Sequence, residues 1–271
     1  MKLPILFSVP HGGLEIPEEL VEYTLFDERL IWEDSDQGSV EIYHPLERYA
    51  AGFQSINFAR CFIDMNRAPD DRSPGGVVKT HASWGHQLYD PFPPEALLQS
   101  VIARYHTPYH QRLSSLATNS GAKLGIDCHT MCEFAPKSAP DQEGSERPMI
   151  CLSDLGGESI SDEWMTRLVD CFTRAFHGFE VRRNSPFRGG YITRRNMTKI
   201  PSVQIEISRS RRISDEEKGL RVLEALVDFS SQTFGVDYSP ILRKERRRRK
   251  LASIWNFLAD LIAKLLGRKK A

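Results

Sequence analysis

Short apolar runs alternate with amphipathic stretches along most of this chain, and their periods predict a succession of strands and helices. Residues 3–9 form an apolar run of strand length that ends in Pro10-His11-Gly12-Gly13. The two glycines let the backbone turn tightly there and present His11 to a pocket at the strand's end. Residues 18–23 read as a short helix, 40–49 as another, and 54–63 as a strand running into Asp64-Met65-Asn66-Arg67. Over 95–116, Leu97, Leu98, Val101, Ile102, Tyr105, Tyr109 and Leu113 fall largely on one helical face. Leu124, Gly125 and Ile126 read as a buried strand that turns to Asp127-Cys128-His129. Strands are also expected at 150–152, 179–182 and 203–207, and helices at 162–176 and 215–234. Residues 184–193, NSPFRGGYIT, read as a glycine-rich turn feeding a β-like segment, while 69–94 and 136–148 carry the prolines and polar residues of loops.

The chemistry gathers at the predicted strand ends, where open α/β sheets bind their ligands. A strand points alternate residues to one face, so Asp127 and His129 project together and Cys128 packs behind. That pair suits a metal or a proton relay, and equally a histidine satisfied near a helix cap. Trp32-Glu33-Asp34-Ser35-Asp36-Gln37-Gly38 has the acids and serine of a solvated helix start. Asn66-Arg67, at the end of a buried run, is placed to grip a carboxylate in a two-pronged way. His106 and His110 lie four apart and face together on a helix, but no carboxylate completes a metal set, which favours a structural role. The absence of a Gly-Lys-Ser/Thr loop argues against nucleotide binding.

With 271 residues, 40% apolar and 27% charged, the chain has the size and balance of one large α/β domain or two small ones. No repeat or interior linker favours the second. The zero net charge is unevenly spread: residues 243–271 hold eleven basic and two acidic side chains, a net of +9 that leaves −9 on the rest. This divides the chain into a body, 1–240, and a basic tail, 241–271. In the tail Leu251, Ile254, Trp255, Leu258, Leu261, Ile262, Leu265 and Leu266 form an apolar stripe at helical spacing, which suits an anionic membrane surface, a protein partner's groove or the body itself. No aromatic residues interleave the basic run, so nucleic acid is not expected. Five cysteines without a CxxC pair fit a reduced, cytoplasmic setting, with peripheral membrane attachment through the tail as an option. The opening MKLPILFSVPHGG reads as a first strand rather than a leader, because its apolar run is short and holds Pro4.

SVPHGG, DSDQG, IDMNRAPDD, YHTPYHQRL, DCHTM, PFRGGYITR and QIEI occur in the order seen in the N-formylglutamate amidohydrolase family, which the chain resembles over roughly residues 5–210. That family is similar in turn to zinc carboxypeptidases. The resemblance implies a three-layer α/β/α body with a mixed central sheet of the zinc carboxypeptidase-like type, and one zinc ion. It assigns His11, Asp36 and His129 as ligands, Asp127 as a partner orienting an imidazole, Glu206 as general base and Arg60 as oxyanion stabiliser. It further implies Asn66 and Arg67, with Tyr191 or Arg194, as the grip on a small N-acyl amino acid, and hydrolysis of formylglutamate to formate and glutamate. Another N-acyl amino acid or a small peptide is the alternative substrate of such a zinc amidase or carboxypeptidase. Carboxypeptidases use His-x-x-Glu, whereas here Glu15 stands four residues after His11, so Glu15 and Asp34 rival Asp36 as the third ligand. Cys128 or Cys132 could bind metal in principle, although the strand turns Cys128 away. A different class of reading makes the body silent and the protein a binding module recruited through its tail.

Overall fold

The computed structural model describes residues 1–137, 139 and 141–265. Its strands are β1 (Leu3–Val9), β2 (Ala50–Ser55), β3 (Leu124–Met131), β4 (Ile150–Ser153), β5 (Val181–Arg183) and β6 (Ser202–Ser208). They form one sheet in the order β2-β1-β3-β6-β4-β5. The first four are parallel, while β4 and β5 run together in the opposite direction. Helices α1 (Glu28–Asp34), α2 (Ser39–Tyr43), α3 (Glu95–Val101), α4 (Thr107–Asn119), α5 (Asp162–Ala175), α6 (Tyr191–Asn196), α7 (Asp215–Phe234) and α8 (Ser239–Leu265) complete the chain.

Strand alternation separates two apolar layers. Leu3, Ile5, Phe7 and Val9 of β1 point to the same side as Ile126, Cys128, Ile205 and Ile207, into a core closed by α2, α5 and α7 through Tyr43, Phe172, Leu226 and Phe229. A fully buried side chain of this size contributes about 1.5–3 kcal/mol by leaving water. On the opposite side Leu6 packs beneath α4 and the 59–65 segment. That face becomes polar toward the strand ends, at Ser8, Asp127, His129, Gln204 and Glu206, all buried. An interior polar row of this kind requires partners, and Ser8 finds one in the Tyr109 hydroxyl at 2.8 Å.

Several expectations of local structure change; Asp34, Ser35 and Asp36, expected at a solvated helix start, are buried where α1 gives way to α2. The strand placed at 54–63 is β2 at Ala50–Ser55 instead; beyond it the chain pairs across to Glu15 and then winds into tight turns at 59–63. Those turns aim Arg60, Asp64 and Asn66 toward the sheet end, where a strand would have alternated them. The expected helix at 95–116 is interrupted by a π-helical turn at Ile102–His106 before continuing as α4. The β-like reading near 191–193 gives way to α6, because the Asn66 amide oxygen accepts the Ile192 N–H at 2.8 Å. A helix whose own Gly190 cannot cap it thus borrows a cap from a residue far away in sequence.

Helix α8 begins at Ser239 and so crosses the boundary placed at residue 240. Ile241 and Glu245 are buried against the body, and the Tyr49 hydroxyl donates to Glu245 Oε2 at 2.7 Å. Leu251, Ile254, Trp255 and Leu258 are exposed. Leu266 and the side chains at 261, 262 and 265 lie outside the described residues.

A Cβ on Gly190 would stand 2.4 Å from the Asn66 amide. Gly190→Ala is therefore expected to displace Asn66 and leave buried polar groups unpaired, lowering stability by about 1–3 kcal/mol. A lower denaturant midpoint with an unchanged m-value would report it; an unaltered midpoint would contradict this account of the cap.

Candidate active site

Backbone contacts assemble the cleft before any side chain enters. The Asp36 amide donates to the His11 carbonyl at 3.1 Å, which ties the DSDQG segment to the end of β1. Glu15 exchanges backbone hydrogen bonds with Asn57 and Ala59, both 2.9 Å, and this fixes the turn carrying Arg60 beside His11. Gly13 permits the approach, since a Cβ there would meet the Asn57 carbonyl at 2.2 Å. Between β3 and β6 the register pairs Asp127 with Gln204 and His129 with Glu206, so these four side chains share one face.

His11, Asp36 and His129 converge, each offering a ligand atom within 4.8 Å of the others. The imidazole centroids are 4.7 Å apart. His11 Nδ1 and His129 Nδ1 lie 3.5 and 3.0 Å from Asp36 Oδ2. Donors bound to one tetrahedral ion at zinc-like lengths stand about 3.4 Å apart, so the set fits a shared divalent metal. Behind each ring is a second carboxylate: His11 Nε2 meets Asp64 Oδ1 at 2.8 Å and His129 Nε2 meets Asp127 Oδ1 at 3.1 Å. Such outer carboxylates orient ligating imidazoles and raise their basicity. Neither oxygen of the buried Asp127 has a well-directed hydrogen bond, which leaves its charge to the imidazole alone.

Burial opposes every charge here, and neighbours decide the outcome. It works against the ionised Asp36 carboxyl, but His11, His129 and Arg60 hold that carboxyl well below the usual range. Asp64 is likewise held low against burial by His11 and Lys79, and Asp34 by Lys79 and Arg60. His129 is driven well above its ordinary value, against burial, by Asp127, Asp36 and Glu206. Glu206 goes the other way: burial pushes its carboxyl up to about 7, with His129 and Arg60 pulling it down. Gln204 Nε2 donates to Glu206 Oε1 at 3.0 Å and steadies it. Arg60 Nη1 donates to Asp36 Oδ1 at 2.9 Å and stands 3.5 Å from His11 Nδ1.

The residues line a cleft of about 560 Å³ that also holds Arg67, Lys79, Arg147, Arg188, Gly189, Gly190 and Arg209. Of the rival ligands, Asp34 also lines it but accepts the Ser83 amide at 2.7 Å and faces Arg60 and Lys79, while exposed Glu15 is not among the lining residues. Cys128 points into the opposite core and Cys132 lies 3.9 Å from an Arg209 nitrogen. Arg67 lines the cleft with its guanidinium bonded to the carbonyls of Gly75 and Asn66. Asn66 is spoken for at both ends: its amide oxygen caps α6 and its nitrogen sits 3.1 Å from His129 Nε2. Tyr191 turns toward His106 and His110, and exposed Arg194 stands 3.7 Å from Glu158; neither lines the cleft.

Sequence reasoning missed Asp64, Lys79, Arg188 and Arg209. Asp64 and Arg188 stand inside the motifs IDMNR and FRGG, so their place in the chain marked them although no role did. The Arg188 carbonyl accepts the Leu155 amide at 2.7 Å, but its guanidinium makes no hydrogen bond or ion pair among the described residues. The His106–His110 pair proves structural: their Nε2 atoms bond the carbonyls of Arg67 and Met65, each at 2.9 Å, clasping the turn around Asn66. Burial and the neighbouring imidazole push His110 down to about 3, so this clasp stays uncharged.

Comparison with known proteins agrees with this geometry. The family model described as N-formylglutamate amidohydrolase matches residues 3–211. N-formylglutamate deformylase of Pseudomonas putida is 26% identical over 231 residues, covering 80% of this chain and 84% of that protein. Its counterpart in Pseudomonas aeruginosa is also 26% identical, over 77% of this chain and 81% of the relative. The crystal structure of N-formylglutamate amidohydrolase from Ralstonia eutropha superposes with a TM-score of 0.66 at 23% identity, covering 92% of this chain and 95% of that one, a likeness of fold.

Asp64→Asn and Asp127→Asn, which remove the charge behind each imidazole, are expected to weaken divalent-metal affinity about 10–100-fold. Competition with a chromogenic chelator measures this, and unchanged affinity in both would deny these carboxylates that role.

Proposed function

Because the chain belongs to the N-formylglutamate amidohydrolase family, we propose that its cleft hydrolyses the formyl amide of N-formylglutamate, using zinc and releasing formate and glutamate. The observation that carries the reading is the meeting of His11, Asp36 and His129 in one cleft with Glu206 and Arg188. Zinc held by His11, Asp36 and His129 would supply Lewis acidity toward the acyl oxygen and the attacking water. The reading takes the sheet as one of the zinc carboxypeptidase-like type. It also takes the five free cysteines, four of them buried, as a sign of a reducing, cytoplasmic setting.

Glu206 is the general base. With its pKa near 7 it is ionised in a large share of molecules at neutral pH, and its conjugate acid is strong enough to return the proton. It takes one proton from water as the oxygen attacks the formyl carbon, then delivers it to the amide nitrogen as the C–N bond breaks. Arg60, anchored by Asp36 and Ser83, offers positive charge to the developing oxyanion. The uncommitted guanidinium of Arg188, with Arg67 of the same cleft, grips the substrate's carboxylates. Asn66 holds His129 and α6 rather than substrate, and its neighbours Tyr191 and Arg194 have no direct part.

An assay of the zinc-loaded protein on N-formylglutamate, N-acetylglutamate and N-formylalanine tests the substrate. N-formylglutamate should be turned over fastest, and equal or better turnover of the others would move the reading to a broader acyl-amino acid amidase. Glu206→Gln should lower kcat by about 10²–10⁴-fold. The carboxylate is the active form, so kcat/KM of the intact protein should fall as pH drops below about 7, and this limb should vanish in Glu206→Gln. Arg188→Ala should raise KM for N-formylglutamate with a smaller change in kcat.

A further inference from the structure

Nothing in amide hydrolysis calls for α8, yet this helix is built in two distinct parts. Its first turns are fastened to the body: Ile241 is buried, and buried Glu245 accepts from Tyr49, Arg248 and Arg249. Arg246 reaches Glu224 of α7 at 2.6 Å. At about 100° per residue, Ile241, Glu245 and Arg249 mark the docked face. Leu251, Ile254, Trp255 and Leu258 occupy an arc centred about 130° away from it. All four are exposed, Trp255 at 73%, and Phe257 flanks them. Lys244 and Arg247 fall on the same arc in the preceding turns, and the side chain of neither has a hydrogen bond or ion pair among the described residues.

We propose that this outward face docks the protein on an anionic lipid surface, with α8 lying in the interface plane. An apolar stripe crowned by Trp and continued by unpaired cations matches the boundary between acyl chains and charged headgroups. Charge selects the occupant. Residues 243–271 carry +9, so packing this face against the same face of a second copy would oppose like charges, whereas acidic headgroups neutralise them. The body, at −9, is repelled by such a surface, which leaves the attraction to α8. Among the described residues no helix is long and apolar enough to cross a membrane, so the helix lies on the bilayer.

Vesicle flotation of the full chain tests the proposal with phosphatidylcholine vesicles and with vesicles containing phosphatidylserine. The intact protein should float with the anionic vesicles, fail to float with the neutral ones, and release at high salt. Two double variants, Ile254→Asp with Leu258→Asp and Lys244→Glu with Arg247→Glu, should each cut binding at least about tenfold while keeping the thermal midpoint, since these side chains are exposed. No flotation of the intact chain would overturn the proposal. So would equal flotation of all three proteins, or binding to an acidic protein with none to vesicles. Because flotation needs no turnover, its outcome is separate from that of the hydrolase reading.

Discussion

An excess of buried negative charge governs this molecule. Asp34, Asp36, Asp64, Asp127 and Glu206 are all withdrawn from water at one end of the sheet, against Arg60, Lys79 and Arg209. Carboxylates in such surroundings must be paired, protonated or bound to a cation. Two of these demands are visible within the chain itself: Glu206 moves toward its neutral form and His129 toward imidazolium. A divalent ion between the imidazoles would answer the same imbalance with one species. The metal reading therefore rests on the charge inventory as much as on the approach of three donors.

The fold serves that arrangement by changing character along one face. On the α4 side β1 passes from Leu6 to Ser8, and β3 and β6 carry Asp127, His129, Gln204 and Glu206, while Phe7, Val9, Ile126, Cys128, Ile205 and Ile207 keep the other side apolar. Parallel neighbours set His129 beside Glu206 without any loop having to position them. Loops supply the remaining groups, each locked by backbone bonds such as Asp36 to His11 and Glu15 to Ala59. Rigid strands thus hold Glu206 and His129, and stitched turns hold Asp36 and Arg60.

What could be read in the sequence follows the same division. The strand of Asp127 and His129 and that of Glu206 were legible, because period-two alternation fixes which side chains share a face. His11 was legible at the end of an apolar run before two glycines. The strand misplaced at 54–63 failed because burial there, as at Phe62 and Ile63, comes from tight turns beneath α3 and α4 rather than from sheet pairing. Asn66 looked like a substrate ligand in a motif, yet only three-dimensional contact reveals that its amide is already engaged. Tyr191 and Arg194 slipped from the cleft for the same reason, since the helix they belong to is started by a residue outside their own segment. Arg188 is told from its many fellow arginines only by its place in the cleft together with a guanidinium that has no partner among the described residues.

The amide of Asn66 joins chain segments 63 residues away on one side and 126 on the other. A lesion at this position would be transmitted at once to the His129 imidazole and to the start of α6. Repair by a nearby compensating change is then hard to arrange, because the two dependants share no local sequence. Laboratory evolution of this scaffold should consequently find its freedom in Arg188 and the rim, and treat the side chain at 66 as a joint to be left alone.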